Sequence, residues 1–104
     1  MRRDYITQQG ETFLLDIEVV DIDGNPVDVE EGEVVSKMKP IFVNSASVSL
    51  NATPSGSTLY LSLSPDVTSA LVTGRYLYDV LLTLDNITTK VLEGTIDVMP
   101  TVSL

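Results

Sequence analysis

Two residue types that carry much of enzyme chemistry are missing from this chain, which has neither histidine nor cysteine. Without histidine there is no side chain that titrates near neutrality unperturbed, and no Ser-His or Cys-His nucleophile pair. Without cysteine there is no disulfide framework and no thiolate metal site. Carboxylates remain. Asp79 lies midway along the longest apolar stretch, Gly74 to Leu84, and Glu93 and Asp97 lie on a candidate partner strand. Paired carboxylates can do acid–base work. With Arg75 and Lys90 as equally available neighbours, surface ion pairs are the simpler expectation. A second group, Asp21, Asp23, Asn25, Asp28, Glu30, Glu31 and Glu33, sets oxygen donors at alternate positions, as a hard cation such as calcium requires. The helix–loop–helix form of that site does not fit, because Gly24 falls fourth from Asp21 rather than sixth and Pro26 interrupts the loop. Asp21, Asp23 and Asp28 stand as weak metal candidates, and a hairpin turn followed by an acidic bulge is the expected structure. Tyr60, Tyr76 and Tyr78 could form a sugar platform, but two of the three fall on the apolar parity of their strand and are expected to pack inside. No catalytic residue, no cofactor and no enzyme activity is expected.

The elements that must position these residues read as strands. Tyr76, Tyr78, Val80, Leu82 and Leu84 share one parity, so they form one apolar wall. The other parity, Arg75, Leu77, Asp79, Leu81 and Thr83, is mixed, which predicts a strand paired on both sides and partly covered on its second face. Arg2 to Gln8 reads as a short edge strand. Thr12 to Val20 alternates, with Phe13, Leu15, Ile17 and Val19 inward and Leu14 and Val20 as apolar exceptions. Asp21 to Pro26 is a turn. Val34 to Pro40 is a strand with Val34, Ser36 and Met38 on one face. Val48, Leu50 and Ala52 predict another strand, Thr53 to Gly56 a loop, and Ser57 to Leu63 the second arm of a hairpin. Ser64, Pro65 and Asp66 are cap, first-turn and dipole signals for a helix of about two turns. Ile87 to Met99 closes the pattern, with Gly94 marking a bulge or a close backbone approach. Turn signals every 8–12 residues predict an all-β, immunoglobulin-like antiparallel sandwich of about seven strands with one short helix, as a single domain over residues 1–104.

The charge is uneven. The net charge is −9, and ten of the fifteen carboxylates lie between Asp4 and Glu33. This argues against a nucleic-acid partner, which needs a basic face. Ile41 to Pro65 carries no charge at all. Ile41, Phe42 and Val43 are therefore the candidate protein interface, as an uncharged edge open to another strand. Asn51-Ala52-Thr53 and Asn86-Ile87-Thr88 fit the glycosylation pattern. Met1-Arg2-Arg3 leads into a polar stretch rather than a signal-peptide core, and no apolar run is long enough to span a membrane.

Six landmarks in order cover nearly the whole chain: Ile6 to Phe13, with its Gln-Gly-acidic turn; Asp23-Gly24-Asn25-Pro26-Val27-Asp28; Val34 to Pro40; Leu59 to Leu71; Gly74-Arg75-Tyr76-Leu77-Tyr78-Asp79-Val80; and Leu92 to Pro100. Together they resemble the small β-sandwich domains of tailed-bacteriophage virion proteins, such as the N-terminal domain of siphophage baseplate upper proteins. The resemblance implies a structural virion protein, made in the host cytoplasm. It would dock to tail, baseplate, neck or fibre through other virion proteins and homo-oligomer contacts, with no nucleic acid, membrane or catalytic residue involved. The baseplate proteins continue into arms beyond this domain, so a stand-alone domain would suit a small virion component. The rival expectation is a calcium-dependent or carbohydrate-binding adhesion module.

Overall fold

The computed structural model describes residues 1–44 and 46–102. Eight strands form two sheets. They are β1 (Tyr5–Gln8), β2 (Phe13–Glu18), β3 (Glu33–Pro40), β4 (Val48–Ser49), β5 (Asn51–Ser55), β6 (Thr58–Leu63), β7 (Gly74–Leu84) and β8 (Ile87–Met99), with helix α1 (Pro65–Ala70) before β7. One sheet has the order β1-β8-β7-β3-β4 and the other β2-β6-β5. In immunoglobulin terms β2, β6 and β5 stand as strands B, E and D, and β3, β7 and β8 as C, F and G. The fold is an all-β sandwich, as the alternation requires. Its core is one cluster that includes Phe13, Leu15 and Ile17 from one sheet and Met38, Tyr78, Val80 and Ile96 from the other.

Tyr76 carries a second mark of that architecture. Its hydroxyl donates to the carbonyl of Val72, 2.8 Å away. A tyrosine at the start of strand F bonded back a few residues upstream is the tyrosine corner. The second cysteine of disulfide-bonded immunoglobulin domains lies two residues further on, and here Tyr78 fills that place.

Three expectations need correction. Val48 to Ala52 is not one strand. The chain pairs with β3 through Val48 and Ser49, turns at buried Leu50, and pairs with β6 from Asn51 onward. It thereby changes sheets, which raises the strand count from about seven to eight. Thr53 to Ser55 is strand rather than loop. Pro54 is tolerated because β5 is an edge strand. The sandwich is also not wholly antiparallel, since β1 pairs with β8 in parallel, Tyr5 opposite Ile96 and Thr7 opposite Val98. Residues so far apart in the chain need no hairpin, so nothing forces an antiparallel match.

Gly94 explains how the N-terminal segment sits. A Cβ there would overlap the carbonyl of Arg3. The close approach lets Tyr78 donate to that same carbonyl at 2.7 Å and lets Asp4 accept from the Thr95 amide at 3.0 Å. Helix α1 is capped by Ser64, and buried Thr68 donates to the carbonyl of Glu11 at 2.7 Å, tying the helix to the β1–β2 turn.

Candidate functional site

The outer face of the five-stranded sheet is where side-chain chemistry collects. Because inward residues alternate with outward ones, β3 turns Val35, Lys37 and Lys39 outward, and β7 turns Arg75, Leu77, Asp79 and Leu81 outward. The register sets them in rows. Lys37, Asp79 and Glu93 form one row, and Lys39, Leu77 and Thr95 the next. Ile41 continues β3, since its amide donates to the Arg75 carbonyl at 3.2 Å.

Asp79 and Glu93 are thus directly opposed on neighbouring strands, as a carboxylate pair would need. Glu93, however, accepts an ion pair from Lys90 at 3.2 Å. Asp97 is held by Arg75 through two contacts of 2.8 and 3.2 Å. That double hydrogen bond keeps the Asp97 carboxyl below the usual carboxylate range and raises the guanidinium further. These are the geometries of a solvated charge ladder rather than of an acid–base pair.

Between the ladders lies an open concavity of about 470 Å³, lined in part by Arg2, Lys37, Lys39, Leu77, Asp79 and Lys90. Four of the chain's six cationic side chains converge there. Among the described residues Lys37 and Lys39 make no ion pair. Leu77 and Thr95 show an inversion. They are cross-strand partners, yet the apolar one is 52% exposed and the polar one, beside the N-terminal segment, only 9%.

The segment 41–44 is built differently from an open strand edge. Residues 41–43 are bends, and the Phe42 ring packs edge-on against Tyr76, 5.8 Å between centroids, and covers Gly74. Phe42 thus packs in part on its own chain and stays 42% exposed. Ile41 and Val43 stay exposed at 56% and 44%, and Ile41 adjoins the row containing Leu77. Position 45, within the expected uncharged surface, lies outside the described residues. Leu77 and Ile6 belong to this face but were not singled out by sequence. The signal for Leu77 was present in the mixed parity of β7.

The metal candidates are engaged locally. The Asp21 Oδ1 accepts from the amides of Asp23 and Asn25, both at 2.9 Å, and the Asp28 Oδ1 accepts from Glu30 at 3.1 Å. Among the described residues no group of three or more acidic side chains is gathered closely enough to hold a metal ion. Of the three tyrosines, Tyr76 and Tyr78 are buried and Tyr60 is half-exposed on the outer face of the smaller sheet. It stands opposite Asp16 and Thr53 beside a second concavity of about 420 Å³.

No family model and no curated protein matches the chain. A solved structure of Listeria monocytogenes InlP is similar, at 19% identity and a TM-score of 0.47, over 95% of this chain and 26% of that one. The chain spans about a quarter of that protein's length.

Proposed function

We propose that this chain is a non-enzymatic structural protein of a tailed-phage virion that docks to its neighbours through the outer face of the five-stranded sheet. The observation that carries the docking reading is Leu77, bare in the middle of that sheet. The rows beside it carry the exposed Ile41 and the ion pairs Arg75–Asp97 and Lys90–Glu93. An apolar centre with a polar, hydrogen-bonded rim is the anatomy of a protein interface. The virion assignment draws on the sequence landmarks that resemble phage sandwich domains. The reading assigns no cofactor and no catalytic residue.

The test is a substitution of Leu77→Lys in the gene of the particle-forming genome. The variant is expected to fold, with an unchanged melting temperature, and to be absent from purified particles. Its incorporation at wild-type level would sink the docking reading, and absence of the wild-type protein from purified particles would sink the virion reading.

A further inference from the structure

The turn between β2 and β3 presents an unusual tip. Ile22 is fully exposed, flanked by Asp21 and Asp23. The turn is held rigidly. Gly24 donates to the Asp21 carbonyl at 3.0 Å, and the Asp21 amide donates to the Asn25 carbonyl at 2.9 Å, in addition to the two amides that the Asp21 side chain accepts. Gly24 takes φ 84°, a left-handed conformation that glycine adopts without strain. The whole stretch from Glu11 to Glu33 carries nine carboxylates and no cation, and among the described residues none of the nine makes an ion pair. The structure therefore holds an apolar knob between carboxylates, and a concavity with Leu77 exposed and Lys37 and Lys39 unpaired. The knob is solvent-exposed, so it is not seated in its own concavity.

We infer that the Ile22 tip of one copy docks into the Lys37–Lys39–Leu77 concavity of a second copy. This rests on the docking reading of that face and names its partner. Charge complementarity selects the occupant. Of the four cations lining the concavity, Arg2 is paired with Asp4 and Lys90 with Glu93, which leaves Lys37 and Lys39 against the single carboxylate Asp79. A net charge of −9 makes most orientations of two copies repulsive, so an attractive juxtaposition also selects the geometry. The contact is head-to-tail. A head-to-tail pair keeps one free tip and one free concavity, so the assembly closes into a ring or extends as a filament.

The experiment uses the full chain at concentrations from micromolar to millimolar, with mass followed by light scattering. The wild type is expected to grow in mass with concentration. A tip variant, Ile22→Ser with Asp23→Lys, and a groove variant, Lys39→Glu, are each expected to weaken association about tenfold or more. Asp21 is left intact because it holds the turn. Lys39→Gln serves as the milder groove variant, and unchanged circular dichroism shows that each is folded. Mixing tip and groove variants is expected to give a one-to-one pair, since one intact tip then meets one intact concavity. A wild type that stays monomeric throughout, oligomers that ignore both variants, or a mixture that stays monomeric would each overturn the inference. If the proteins do not self-associate while Leu77→Lys is still excluded from particles, only the self-contact fails. If Leu77→Lys enters particles normally, the docking reading fails as well.

Discussion

The outer faces of the two sheets are built from the same alternation but carry opposite chemistry. On the three-stranded sheet the outward residues include Leu14, Asp16, Glu18 and Tyr60, and its strands contain no cation. On the five-stranded sheet the outward residues of β3 and β7 include Lys37, Lys39 and Arg75, with Lys90 and Asp97 joining from β8. Both faces expose large aliphatics, Leu14 at 73% on the smaller sheet, and Ile6, Val35 and Leu77 at 67%, 51% and 52% on the larger. Exposure alone therefore does not mark a site, since single exposed apolar residues are ordinary. The setting differs. Leu77 sits among paired charges, beside unpaired lysines and the exposed Ile41, whereas Leu14 is flanked by carboxylates and hydroxyls.

The largest effect expected on this comparison comes from Gly94→Val. The added side chain would meet the Arg3 backbone, so residues 1–8 must leave β8 and uncover Thr7 and Thr95. A loss of about 3 kcal/mol or more is expected from strand loss and overpacking. It would be read from the denaturation midpoint, with faster proteolysis of the N-terminus. A midpoint near wild type would mean that the N-terminal segment adds little to the larger sheet. Next in size is the tyrosine corner. Tyr76→Phe removes a partly buried hydrogen bond and is expected to cost about 1–2 kcal/mol.

Alkaline pH acts on the same region. Burial, with smaller contributions from Tyr5 and Asp4, pushes the Tyr78 hydroxyl well above its ordinary range. The native state therefore keeps a proton that the unfolded chain releases. The corresponding stability is complete below the unfolded value of about 10 and is lost as pH rises beyond it. Tyr78→Phe is expected to flatten the fall in melting temperature above that pH, and an unchanged slope would assign the fall to other groups. The smallest effect belongs to the exposed ladder. Asp97→Asn removes a bidentate pair open to solvent, and a loss under about 1 kcal/mol is expected. Because the folded Asp97 carboxyl is depressed, that small contribution is present above its unfolded value and disappears as pH falls through the folded one.

Much of this was legible in the chain. The wall of Tyr76, Tyr78, Val80 and Leu82 follows from parity alone, and Ser64, Pro65 and Asp66 announced the helix. Gly94 signalled a close approach, though only the fold shows that the Arg3 carbonyl is what approaches. The sheet switch at Leu50 left no mark because Val48, Leu50 and Ala52 alternate without interruption. Alternation records which side is buried, not which sheet supplies the partner. Pro54 obscured β5 for a related reason, since a proline argues against a strand unless the strand lies at an edge. The cationic concavity was hidden because Arg2, Lys37, Lys39 and Lys90 meet only through the β3-β7-β8 register and the N-terminal segment. The exposed segment 41–43 was visible as an uncharged run, but the partnership of Phe42 with Tyr76 and Gly74 was not.

The most direct measurement makes one chemical change on both faces. Leu77→Lys and Leu14→Lys each replace an exposed leucine on a strand, and both are expected to leave the unfolding free energy within about 0.5 kcal/mol of wild type. Incorporation into purified particles is then compared. Exclusion of Leu77→Lys with normal entry of Leu14→Lys is the expected result. Normal entry of both, or exclusion of Leu14→Lys alone, would contradict the assignment of the five-stranded sheet as the docking face.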